Sequence, residues 1–111
     1  MSIFKKLFRK SAIERGFRYM VKPEFAISIV AKEVICQVRD ISISGVGIIS
    51  EELTRNISKG EELQASIRIG EEIVTLDLEV VWCKANRFGA KVITHQDFFS
   101  EKVRVFINEL D

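Results

Sequence analysis

Proline and histidine each occur once in this chain of 111 residues, as Pro23 and His95. Cysteine is scarce too. Cys36 and Cys83 show no C-x-x-C spacing and no neighbouring histidine, which excludes a metal site and a redox pair. His95 has neither a second ligand nor a nucleophile nearby and reads as a solvated loop residue. Long apolar runs are missing as well. None approaches the roughly 18 residues of a membrane-spanning helix, and Met1 to Lys10 mixes Phe and Leu with Lys5, Lys6, Arg9 and Lys10 instead of forming a signal-peptide core. The expected location is the cytoplasm. Enzyme signatures are absent, with no G-x-x-x-x-G-K-[ST], H-E-x-x-H or G-x-S-x-G. Gly45-Val46-Gly47 opens like a dinucleotide fingerprint but lacks the third glycine and the following helix, so these read as strand and turn glycines. The chain is expected to be no enzyme and to hold no cofactor or metal.

What is present suffices for one small domain. Apolar residues make up 47% and charged residues 30%, enough for a core and for solubility. The net charge is only +1, yet residues 1–22 carry seven Lys or Arg against the single acid Glu14, leaving residues 23–111 net acidic. The division expected is a basic N-terminal arm, 1–22, and a folded domain, 23–111. Such an arm suits an anionic partner: nucleotide phosphate, nucleic acid or an acidic membrane surface. Within it Ile3, Phe4, Leu7 and Phe8 recur at helical spacing beside the basic residues, a pattern that fits interfacial membrane contact, a partner or the domain itself.

Pro23 biases Lys22 away from helical angles and marks the end of the arm. Beyond it, Phe25, Ile27 and Ile29 alternate on one face; a turn near Ala31 and Lys32 leads to Val34, Cys36 and Val38, giving a hairpin. Gly45–Ile49 reads as a third strand, and residues 50–62 as a loop with a helical turn. Leu63, Ala65, Ile67 and Ile69 form a fourth. Val74, Leu76, Leu78, Val80 and Trp82 share one face of a long fifth, which makes Trp82 a core residue, and Phe88, Ala90 and Val92 mark a sixth. Strands at such short spacing without interleaved helices predict an all-β fold, a six-stranded antiparallel barrel. Val103, Phe106, Ile107 and Leu110, following Ser100 as N-cap, predict a C-terminal amphipathic α-helix packed on it.

Asp40-Ile41-Ser42-Ile43-Ser44-Gly45 is the most informative segment, because extended-chain alternation places Asp40, Ser42 and Ser44 on one face. A carboxylate accepts two hydrogen bonds and suits an edge with adjacent N–H donors, such as guanine N1 and N2, while Gly45 allows a turn or a close approach. Asp, Ser and Gly also cluster in ordinary turns for local reasons. Upstream stand Arg15 and Arg18, whose guanidinium groups can fork onto phosphate or stack on a base.

Arginines before the first barrel strand, D-x-S-x-x-G after the second, then Val80-Val81-Trp82 and Arg87-Phe88-Gly89-Ala90 in that order resemble the PilZ domain family. The resemblance covers roughly Arg15 to Leu110. It implies a bacterial receptor for the second messenger cyclic di-GMP, with an R-x-x-x-R arm clamping phosphates and stacking on guanines, and the Asp and Ser of the second motif bonding a guanine. The matching ligand-binding positions are Arg18, Asp40, Ser42 and Gly45, with Arg15 one residue out of register. Four residues before Arg18, where the family has its first arginine, this chain has Glu14. The resemblance further implies signalling to a protein partner. The alternative is a degenerate PilZ domain that binds no nucleotide and acts as a protein–protein interaction module in pilus, motility or secretion machinery. Nucleic acid is not an expected partner, since residues 23–111 are net acidic and lack a basic, aromatic stripe.

Overall fold

The computed structural model describes residues 18–22 and 27–109. Most of the basic arm, including Glu14 and Arg15, lies outside the described residues, as do Phe25 and Leu110. Seven strands and two helices follow among these described residues: β1 (Tyr19–Met20), β2 (Ile27–Ala31), β3 (Val34–Ile41), β4 (Gly45–Ile49), α1 (Glu51–Arg55), β5 (Glu62–Ile69), β6 (Glu72–Lys84), β7 (Arg87–Val92) and α2 (Gln96–Glu109). All pairings are antiparallel. The order β3-β2-β5-β6-β7-β4 closes through β3–β4 into a six-stranded barrel, and β1 is added to the outer end of β3. Among the described residues closure leaves only the two-residue β1 as an edge strand.

The period-two pattern explains the barrel. Ile29, Val38, Ile48, Ile67, Leu78, Val80 and Phe88 are each no more than 2% exposed and fill its interior. The β2–β3 turn is made by Lys32 and Glu33, with φ of 49° and 65°. This left-handed pair matches the twist of the two strands, although neither residue favours it. Lys32 Nζ donates to Glu61 Oε2 at 2.6 Å and fastens the turn to the loop before β5.

Each end of the barrel is covered by a helix. At the end reached by Ile49, Ser50 caps α1, its Oγ accepting from Leu53 N–H at 3.1 Å, and Leu53 seals the interior. Across the other end lies α2, with Phe99, Val103 and Ile107 at 0% exposure. Its N-terminal half adjoins Ile43 and Ser44, and its C-terminal half the β5–β6 turn, where Lys102 pairs with Glu72 at 2.6 Å. No helix among the described residues is long and apolar enough to cross a membrane.

Two expectations from sequence need correction. The C-terminal helix begins at Gln96, so Ser100 is an internal residue whose Oγ donates back to the Asp97 carbonyl at 3.1 Å. Trp82 is not in the core but 36% exposed, because the β6–β7 register shifts between Val80 and Trp82 and turns the indole outward.

The two cysteines are free, Cys36 buried and Cys83 exposed. Burial pushes the Cys36 thiol above its usual range; a hydrogen bond with Ser50 opposes the rise and the charge of Glu52 adds to it. The folded state therefore holds the Cys36 proton more tightly than the unfolded chain does. Stability from this group is complete at neutral pH and declines once pH passes the ordinary thiol range. A thiol-reactive dye at neutral pH is expected to label one equivalent, Cys83, in the folded protein, and the second only upon unfolding. Two equivalents reacting at once would contradict the burial of Cys36.

Candidate functional site

Two β-bulges face each other across the outside of the barrel. On β3 the register with β4 shifts between Val38 and Asp40, and Asp40 then stands opposite Gly47. On β6 the register with β7 shifts between Val80 and Trp82, and Trp82 then stands opposite Gly89. Gly47 and Gly89 are themselves partners in the β4–β7 pair. Asp40, Gly47, Gly89 and Trp82 thus make one row across four strands.

The glycines in that row face outward, since their neighbours Val46, Ile48, Phe88 and Ala90 all point into the core. Side chains from the flanking strands occupy the space they leave. A Cβ on Gly47 would sit 2.7 Å from Cγ of Asp40, and one on Gly89 would sit 2.6 Å from Cε2 of Trp82. The result is a two-glycine floor with the Asp40 carboxylate seated over Gly47 and the Trp82 indole seated over Gly89. Gly45 is fixed for a different reason: a Cβ there would lie 2.5 Å from the Ala90 carbonyl oxygen, so it permits the close approach of β4 to β7.

Arg18 and Asp40, 22 residues apart, meet at this row. Arg18 Nη1 donates to Asp40 Oδ1 at 2.6 Å, with the arginine side chain 46% exposed and the aspartate 10%. The strand β1 makes this possible. Met20 pairs with Asp40, and Val21 N–H donates to the Arg39 carbonyl at 2.8 Å, which holds the incoming chain along the bulged end of β3. Only one carboxylate oxygen is taken by Arg18; among the described residues Oδ2 has no hydrogen-bond partner and faces the floor.

Ser42 is placed differently from the strand alternation expected. β3 ends at Ile41, and residues 42–44 form a turn in which Ser42 N–H donates to the Gly45 carbonyl at 2.9 Å. Ser42 Oγ accepts from Ser44 N–H at 3.3 Å and is buried, so its hydroxyl shapes the turn beside Asp40, while Ser44 is exposed. Arg15, the remaining candidate, lies outside the described residues. Sequence reasoning missed Gly47, Gly89 and the outward aim of Trp82. A signal was available, because a glycine within a strand marks a bulge or a close approach, and the G-x-G of β4 and the R-F-G-A of β7 each carry one. Among the described residues no three His, Cys, Asp or Glu are grouped to hold a metal ion.

Comparison with solved structures finds an uncharacterized Legionella protein, Lpg0364, at 19% identity and TM-score 0.61, covering 85% of this chain and 92% of that one. The PilZ domain of CeSA from a cellulose-synthesizing bacterium is similar at 12% identity and TM-score 0.53, covering 85% of this chain and 98% of that one. At these identities the likeness shows the fold. A search of curated proteins finds no match. The sequence itself matches the PilZ domain over residues 13–106, a span that includes Arg15 and Arg18, the bulged strands and most of α2, and the chain therefore belongs to the PilZ domain family.

Proposed function

We propose that this PilZ domain is a receptor for cyclic di-GMP that passes the signal to a partner protein without catalysis. The observation that carries the reading is the pairing of Arg18 with an Asp40 carboxylate turned outward over the Gly47–Gly89 floor. The two oxygens of a carboxylate match the adjacent N1–H and N2–H donors of guanine once Arg18 gives up Oδ1. The Trp82 indole, 36% exposed in the same row as Asp40, offers a flat ring an aromatic face, and stacking on an aromatic is worth about 1–3 kcal/mol per base. Arg18, half-exposed and held by a single hydrogen bond, is free to turn onto phosphate once a guanine edge replaces it on Asp40.

The second reading is the interaction module without ligand, favoured by Glu14 at the position of the first arm arginine. A carboxylate facing a dianion opposes binding. Calorimetric titration of the wild type and of Glu14→Arg with cyclic di-GMP separates the two. A receptor gives saturable binding in the wild type and tighter binding in the variant, with the gain shrinking as salt is added, because part of it is screened attraction. Two folded proteins that both fail to bind would overturn the receptor reading and leave the module.

A further inference from the structure

Beside the glycine floor the outer face carries a basic pair with no ion-pair partner among the described residues. Lys84 and Arg87 stand directly opposite each other at the end of the β6–β7 hairpin. Like charges in opposed positions on neighbouring strands repel. Elsewhere Lys32, Arg55, Lys91 and Lys102 are each paired with a glutamate, at Glu61, Glu51, Glu79 and Glu72. Lys84 and Arg87, by contrast, make no hydrogen bond or ion pair among the described residues, and Arg87 is half-buried. An arrangement that works against stability, placed next to the proposed ligand site, is a mark of a binding role.

Arg87 precedes Gly89 by two residues on β7, so both face outward, and Arg87 stands beside the Trp82 indole that lies over Gly89. From Asp40 to β7 is two strand spacings, about 9.6 Å. A guanine that meets Asp40 with its N1/N2 edge and stacks towards Trp82 directs its sugar and phosphate towards β7. On the far side of Gly89 is Lys91, but Glu79 engages it at 3.6 Å and adds negative charge. We infer that Arg87, with Lys84 opposite, binds a phosphate of the cyclic dinucleotide and supplies from the barrel a cation that Glu14 does not supply from the arm. This rests on the receptor reading above.

The test is titration with cyclic di-GMP of the wild type, Arg87→Gln, Arg87→Lys and Lys59→Gln, the last removing an exposed charge from the loop after α1. Arg87→Gln is expected to bind at least about tenfold more weakly, the loss of a charged hydrogen bond, with a shallower salt dependence and a melting temperature unchanged or raised. Arg87→Lys should fall between, since it keeps the charge but loses the fork, and Lys59→Gln should stay within about twofold of the wild type. Wild type and Arg87→Gln binding alike would overturn the inference and leave the receptor standing. An equal loss in Lys59→Gln would reduce the effect to net charge and overturn it too. A wild type that does not bind would overturn the receptor reading and this inference with it. If Arg87→Gln does not fold, Arg87→Lys decides: weaker binding supports the fork, and unchanged binding overturns it.

Discussion

Truncating Phe99 to alanine is expected to destabilise the domain by about 3–5 kcal/mol, the range for emptying a fully buried aromatic site. That is a large share of the roughly 5–15 kcal/mol a whole domain has. Phe99 is 0% exposed and sits in the first turns of α2, where with Val103 and Ile107 it forms the stripe that closes one end of the barrel. Losing it opens a cavity between helix and barrel that the surroundings fill only in part. Urea unfolding monitored by circular dichroism checks this, with a lower midpoint at unchanged slope. Phe98→Ala is the control. Phe98 is 49% exposed and lies 5.1 Å from the Lys102 ammonium, so its loss should cost no more than about 1 kcal/mol. Equal losses at the two positions would mean that α2 docks through a different face.

Phe99 was passed over in the sequence for a physical reason. Ser100 is a favourable N-cap residue, and a helix started there excludes the turn before it. The chain instead enters α2 through His95 at φ 52°, while Thr94 Oγ1 accepts from Asp77 N–H at 2.8 Å and anchors the entrance to β6. No local preference announces either feature. Strands were legible because alternation is local: Ile27 and Ile29, then Leu63 to Ile69, then Val74 to Val80 face inward as the period requires. Trp82 was misread because a bulge inserts one residue into that period and leaves no mark of its own. Its mark is on the partner strand, in Gly89, and likewise in Gly47 opposite Asp40.

The site was legible in pieces and not as an arrangement. Asp40 could be singled out as a carboxylate in a polar stretch, but its outward aim comes from the bulge at Arg39. The two-residue β1 is too short for any periodicity, so only the resemblance linked Arg18 to Asp40. Ser42 illustrates the converse. Its alignment with Asp40 followed from extending β3 by three residues, whereas the backbone bond from Ser42 N–H to Gly45 ends the strand and makes a turn.

Asp40→Ala is expected to weaken cyclic di-GMP binding by about 1.5–3 kcal/mol, the range for a hydrogen bond to a charged group, or roughly ten- to 150-fold. Stability should change by no more than about 1 kcal/mol, because the lost ion pair has a half-exposed arginine that water can solvate. Gly47→Ala approaches the same point without removing the carboxylate. Its Cβ would fall 2.8 Å from Asp40 Oδ1 and 2.7 Å from Cγ, so the side chain must swing off the floor or the strands must part. If the carboxylate binds by its placement as well as its charge, Gly47→Ala loses affinity comparably to Asp40→Ala while the chemistry of every polar group is retained. Calorimetry on both, with melting temperatures alongside, reads the difference. Full affinity in Gly47→Ala would show that Asp40 can bind from another rotamer and that the glycine floor is a packing feature. Unfolding of Asp40→Ala would make the Arg18 pair a structural clamp for β1, and the guanine contact would then have to be sought elsewhere on the barrel.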